Sequence, residues 1–220
     1  MRGHDVKRLL SLAATMLALY VAGLPPATAS VIDVPILNLL AGSWGPGSGQ
    51  SYGQVFTAPS EDAFLVDYSF RVGANVQFQF VSQVYAWGGS SATGPALFTS
   101  ESVLTPLPLN ALATYVFSPS IPVIGGHQYI AFVTNQPGGI PFGGPLESSG
   151  TMALNQDDLY TAGQFAFNTT GNPATGPWSL TLSNADAVFH ATFVSEASTL
   201  VLFAVGLAGL IGVTAACRRR

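Results

Sequence analysis

Apolar and polar residues alternate with a period of two through the middle of the chain, and the 3.6-residue period of a helix is nearly absent there. Over 64–72, one face carries Phe64, Val66, Tyr68, Phe70 and Val72, and the other carries Leu65, Asp67, Ser69 and Arg71. Over 76–87, Val76, Phe78, Phe80, Ser82, Val84 and Ala86 share a face. The opposite face begins polar with Gln77 and Gln79 and continues with Val81, Gln83, Tyr85 and Trp87. Further strands are predicted at 51–58, 96–104, 114–118, 127–134, 163–168, 178–183 and 187–194. Between them lie Gly88-Gly89-Ser90-Ser91, Gly125-Gly126 and Pro137-Gly138-Gly139, which supply turn chemistry. Eight or nine short strands at this spacing predict an all-β fold, an antiparallel β-sandwich of jelly-roll type, with a barrel as the alternative.

The two ends break the pattern. Arg2, Lys7 and Arg8 precede an apolar stretch over 9–24, then Pro25 and Pro26, then Ala27-Thr28-Ala29. A positive start, an apolar run and a small-x-small site are the parts of a signal peptide. Residues 1–29 are therefore expected to be removed by signal peptidase between Ala29 and Ser30. At the other end, 199–217 is uncharged and is followed by Arg218, Arg219 and Arg220. As a helix, this run would span about 28 Å, close to the hydrocarbon thickness of a bilayer. The positive-inside rule puts the three arginines in the cytoplasm, and the signal peptide puts Ser30 outside. Both constraints place the domain at 30–193 on the outer side of the cytoplasmic membrane.

Charge is distributed just as unevenly. Six of the seven basic residues lie in the two ends, and between Ser30 and Ser195 only Arg71 is basic, against nine acids, a formal charge of −8. Nucleic acid binding needs clustered Lys and Arg to displace counterions, so nucleic acid is excluded and anionic partners in general are disfavoured. The domain contains no cysteine, Cys217 lying in the apolar tail, so its stability is expected to come from packing and backbone pairing without disulfides.

Candidate chemistry is sparse. Gly49-Gln50-Ser51-Tyr52-Gly53 has the spelling of a serine hydrolase elbow, with Asp186 and His190 following in hydrolase order. That elbow needs a strand before the serine and a helix after it, whereas here a strand is predicted to follow. On one strand, Asp186 and His190 would stand about 13 Å apart. No catalytic residue is assigned. His127 and His190 are too few for a zinc site, so no metal ligand is assigned; Asn155, Asp157 and Asp158 are a weak calcium candidate without the spacing of a calcium loop. Asn168-Thr169-Thr170 spells a glycosylation sequon but reads as a turn. Trp44, Tyr52, Tyr85, Trp87 and Trp178 are aromatics able to stack on sugar rings. Trp44, Tyr85 and Trp87 are the carbohydrate-binding candidates, while Trp178, in phase with Leu180 and Leu182, reads as core.

The tail Val194-Ser195-Glu196-Ala197-Ser198-Thr199, the apolar run and the arginine triplet together resemble the PEP-CTERM sorting signal of Gram-negative bacteria that make exopolysaccharide. That signal joins a Pro-Glu-Pro motif, a transmembrane helix and terminal arginines. Here Glu196 matches the acidic centre, and Ser195 and Ala197 stand where the family has prolines. The resemblance covers 194–220. It implies recognition at Ser195-Glu196-Ala197 by an exosortase, a membrane protease-transpeptidase, with the helix at 199–217 as a temporary anchor. Gln54-Val55-Phe56-Thr57, His127-Gln128-Tyr129, Tyr160-Thr161-Ala162-Gly163-Gln164 and Trp178 ahead of Asp186-Ala187-Val188-Phe189 also resemble ectodomains that precede this signal and carbohydrate-binding-like sandwiches. The function expected is a non-enzymatic surface or matrix protein associated with exopolysaccharide. The alternatives are a lectin-like module and a secreted glycan or ester hydrolase.

Overall fold

A computed structural model describes residues 29–35, 39–46, 48, 51–61, 63–140, 142, 148–170, 172–180 and 185–195. Contacts divide the chain into two compact units, Ser30–Phe193 and the termini Met1–Ala29 with Val194–Arg220. Most of the signal peptide, Glu196, Ala197, the apolar run at 199–217 and Arg218 to Arg220 lie outside the described residues. Among those described, no helix is long and apolar enough to cross a membrane.

In chain order the strands are β1 (Ala29–Asp33), β2 (Leu39–Trp44), β3 (Ser51–Thr57), β4 (Ala63–Ala74), β5 (Gln79–Trp87), β6 (Ala92–Thr99), β7 (Val103–Leu104) and β8 (Ala113–Phe117). They continue as β9 (Ile121–Val123), β10 (Gln128–Thr134), β11 (Gly150–Asn155), β12 (Gln164–Asn168), β13 (Trp178–Ser179), β14 (Asp186–Ala187) and β15 (Phe189–Ser195). One sheet has eight strands in the order β1-β15-β4-β11-β14, with β2 on β11 and β8 and β9 on β4. The other has seven in the order β13-β12-β3-β10-β5-β6, with β7 on β5. The registered pairs are antiparallel. This is the two-sheet, all-β build that the alternation predicts.

The inner faces make the main core. Tyr52 and Phe56 of β3, Phe80 and Val84 of β5, and Tyr129, Ala131 and Val133 of β10 pack against Tyr68, Phe70 and Val72 of β4 and Phe189 and Phe193 of β15. Aromatic pairs join the two layers: Phe56 lies 5.7 Å from Phe189 between ring centroids. Burial of such rings is worth about 1.5–3 kcal/mol each and dominates the driving force.

Two buried polar bridges set how the sheets face one another. The Tyr68 hydroxyl lies 2.7 Å from Ser82 Oγ, and Ser82 Oγ donates to the Phe132 carbonyl at 2.9 Å. Ser82 has one proton to give, so Tyr68 is the donor of the first bond. Burial raises the Tyr68 pKa above its ordinary value and keeps it a neutral donor. In the second bridge, Gln54 Nε2 donates to Asp186 Oδ1 at 2.8 Å, and the Ala187 backbone N–H donates to Gln54 Oε1 at 2.7 Å. One side chain of β3 thus satisfies two groups of β14.

The alternation slips in one place. Simple period two over 64–72 puts Phe64 and Val66 with Tyr68, yet Ala63 and Leu65 are buried while Phe64 and Val66 are partly exposed. The reason is a change of partner: Leu65 pairs with Ile121 of β9 and Tyr68 with Phe117 of β8, a register offset of one. The slip turns Leu65 into the core and leaves Tyr68, Phe70 and Val72 inward as expected.

Candidate functional site

The outer face of the seven-stranded sheet carries a second apolar layer. Val55, Tyr85, Ile130, Phe132 and Ala166 stand on it, and Trp178 covers them. After β12 the chain folds over this face. The Trp178 N–H donates to the Ser90 carbonyl in the β5–β6 turn at 3.0 Å, and its indole Nε1 donates to the Pro173 carbonyl at 2.9 Å. Its ring sits 5.0 Å from Phe132 and 6.4 Å from Trp87. Gly53 faces Phe132 in the β3–β10 ladder, and a Cβ at Gly53 would come within 2.6 Å of Phe132 Cβ. Only glycine leaves the ring that room.

A buried carboxamide fastens the start of this cap. Asn168 Nδ2 donates to the Pro177 carbonyl at 2.8 Å, and Asn168 Oδ1 accepts the Thr170 N–H at 3.1 Å. Asn168 is fully buried and committed to these bonds, so the sequon is structural. On β14 of the other sheet, Asp186 accepts from the Tyr160 N–H at 2.9 Å as well as from Gln54. Burial pushes the Asp186 carboxyl above the usual carboxylate range, and these two hydrogen bonds only partly oppose it.

The aromatic candidates separate accordingly. Trp44 is 0% exposed, edge-on to Phe78 and Phe80 at 5.1 and 5.4 Å, so its ring faces the inter-sheet core and is removed as a sugar platform. Tyr85 is buried and stacked on Phe132 at 5.7 Å, which removes it for the same reason. Tyr52 is buried too, with its hydroxyl donating to the Gly42 carbonyl. Trp178 is core as read, though of the outer layer and not the inner one. Trp87 alone of the set is partly exposed. Periodicity gives the face on which a residue stands but not whether a later segment covers it.

The hydrolase constellation is not assembled. Ser51 opens β3, is buried, and donates to Thr134 Oγ1 at 2.8 Å. The Asp186 carboxylate is occupied by Gln54 and Tyr160, and His190 lies 3.3 Å from Asp33 and 3.2 Å from Thr192 Oγ1. Asp186 and His190 belong to different strands, β14 and β15, and not to the single strand expected, because the chain leaves β11 for β4 at Val188. Near the calcium candidate, Asn155 Oδ1 accepts the Asp157 N–H at 2.9 Å and Asn155 Nδ2 donates to the Pro35 carbonyl at 3.1 Å, so this carboxamide closes a turn. Among the described residues no three His, Cys, Asp or Glu side chains converge on a metal position. Of the export and sorting residues, Ala29 and Ser30 begin β1 and Ser195 ends β15; Ala27 lies outside the described residues.

The eight-stranded sheet presents the opposite kind of outer face. A shallow pocket of about 310 Å³ lies over β1, β15, β4 and β8, with polar walls from Asp33, Ser69, Arg71, Thr114 and His190 and apolar ones that include Pro35. Ser69 and Arg71 alternate with the buried Phe70 and Val72, and His190 with Phe189 and Ala191, so the strand period that fills the core also builds this polar surface. The sequence singled out Arg71 as the lone base without placing it in a pocket. The signal was there; its neighbours from three other strands were not.

No protein-family model and no curated protein matches the chain. Solved structures give distant likenesses. The chain is similar to the cysteine protease and lectin-like domains of Cwp84, a surface layer associated protein of Clostridium difficile, at a TM-score of 0.44 and 14% identity over 71% of this chain. Infectious bursal disease virus of the Gt strain follows at 0.29 and 12% identity over 78%. The chain spans 36% and 40% of the lengths of those two structures. The strand pairing itself establishes the two-sheet fold.

Proposed function

We propose that the chain is an exported surface or matrix protein whose sandwich associates with exopolysaccharide in a structural or adhesive, non-enzymatic role. Export rests on the signal peptide at 1–29, and anchorage on a transmembrane helix at 199–217 with Arg218 to Arg220 on the cytoplasmic side. Release rests on recognition of Ser195-Glu196-Ala197 by an exosortase. The strands are taken to be connected in jelly-roll fashion.

The observation that carries this reading is the join between fold and tail. The last described strand, β15, ends at Ser195, and Glu196 follows directly. A cut at the motif therefore leaves every described strand on the released side. Ser51 bonded to Thr134 and His190 to Asp33 count against the Ser51 hydrolase alternative. Mass measurement of the mature protein tests the reading: the expected chain begins at Ser30 and ends at or near Glu196. A mature chain that retains Arg220 would leave a permanent anchor in place of a sorting signal.

A lectin-like module is the second reading, favoured by the partly exposed Trp87 on the outer aromatic layer. Binding on a glycan array that disappears with Trp87→Ala supports it, and an array without signal counts against it.

A further inference from the structure

The pocket over β1, β15, β4 and β8 has a chemistry that no reading of the tail assigns. Arg71 is the only basic residue between Ser30 and Ser195, and it lines this pocket. Among the described residues no carboxylate lies in salt-bridge range of it; the carboxylate of the pocket, Asp33, is held by His190 Nδ1 at 3.3 Å. A guanidinium presents a planar fork of donors that matches a carboxylate in bidentate fashion. Ser69 and Thr114 add hydroxyls beside it, Thr114 standing opposite Arg71 in the β4–β8 ladder. β15 separates β1 from β4, so Asp33 and Arg71 stand roughly 10 Å apart across the strands. One end of the pocket thus offers a cation unpaired among the described residues. The other offers a carboxylate, oriented by His190 and suited to hydroxyl groups, and Pro35 gives an apolar wall for the C–H face of a ring.

We infer that this pocket binds a carboxylate-bearing sugar, a uronic acid unit of an acidic polysaccharide, with the carboxylate on Arg71 and ring hydroxyls toward Asp33. This rests on the matrix-associated reading above and names its ligand class. The charge of −8 on the domain opposes such a ligand at long range. At physiological salt that repulsion fades beyond about 8 Å, whereas the guanidinium acts in contact. The local group decides the contact, and the global charge weakens the association.

The test is calorimetric titration of the full chain in mild detergent with a uronic acid trisaccharide, beside its carboxyl-reduced neutral counterpart. The acidic sugar is expected to bind at least about tenfold more tightly than the neutral one, as the loss of a charged hydrogen bond implies. Arg71→Gln should abolish that preference, Arg71→Lys should retain part of it, and His190→Gln should weaken both sugars. Trp87→Ala should change neither. Equal binding of the two sugars, no binding of either, or full binding by an Arg71→Gln protein with unchanged melting temperature would overturn the inference. If the pocket fails while the protein still cofractionates with matrix polysaccharide, the matrix reading stands alone. If the mature chain retains Arg220 while Arg71 still selects the acidic sugar, the sorting reading fails and the pocket stands.

Discussion

On the outer side of the seven-stranded sheet, Val55, Tyr85, Ile130 and Phe132 lie beneath Trp178, and the segment after β12 closes over them. On the outer side of the eight-stranded sheet, Ser69, Arg71, Thr114 and His190 line an open pocket. Both sheets bury their inner faces in one aromatic core. The difference between the outer faces lies in the second half of the strand period. Where both halves are apolar, a sheet needs a second cover, as strands buried on two sides do. Where the second half is polar, it needs no second cover. The cap adds stability to one face, and among the described residues the other is left open as a pocket.

The largest effect should come from removing the cap. Trp178→Ala takes a 6% exposed indole off Phe132 and leaves the Pro173 carbonyl without its indole donor, while the backbone bond to Ser90 can remain. A loss of about 3–5 kcal/mol is expected in urea denaturation, as for other buried Trp truncations. A loss below about 1 kcal/mol would mean that the outer layer is ornament and that the contrast between the faces is false. Gly53→Val comes next. Its side chain would press on Phe132 and the β10 backbone, and a cost of about 1–3 kcal/mol is expected by the same measurement.

A smaller effect, and one with a sign, concerns the β14 carboxylate that bridges the two sheets. The Asp186 carboxyl is raised above its ordinary value by burial, so the folded state binds its proton more tightly than the unfolded chain does. Its contribution is fully present below the unfolded-state pKa of about 4 and is lost as pH rises through the higher folded-state value. Asp186→Asn should flatten that part of the stability curve, read as melting temperature against pH; an unchanged slope would assign the dependence to other groups. The smallest effect is expected on the open face. Arg71→Gln should change stability by no more than about 0.5 kcal/mol, as for a surface position outside the core. A melting point that fell as far as with Trp178→Ala would make Arg71 structural and erase the distinction.

Much of the fold was legible because a strand writes its two faces directly into the sequence. The 51–58, 127–134 and 163–168 strands appear within a residue of their expected ends. Gly150–Asn155 and Leu39–Trp44 were missed, since GTMALN and LLAGSW lack a clean alternation and pair with one another through a register shift. Trp44 shows the limit for sites. The sequence offers it as an aromatic able to stack on sugar, and only the approach of Phe78 and Phe80, at the start of β5, shows it as core.

By itself the sequence determined the β class, the two faces of most strands and the solitary status of Arg71. These follow from the local period of the chain and from composition, which need no partner to be read. Tertiary structure alone decided that Leu65 turns inward, that Trp178 caps the outer face and that Asp186 serves Gln54 and Tyr160. It also brought Asp33, Arg71 and His190 to one pocket. Each of these depends on which distant strand lies alongside, and that pairing is settled by burial across the whole sandwich.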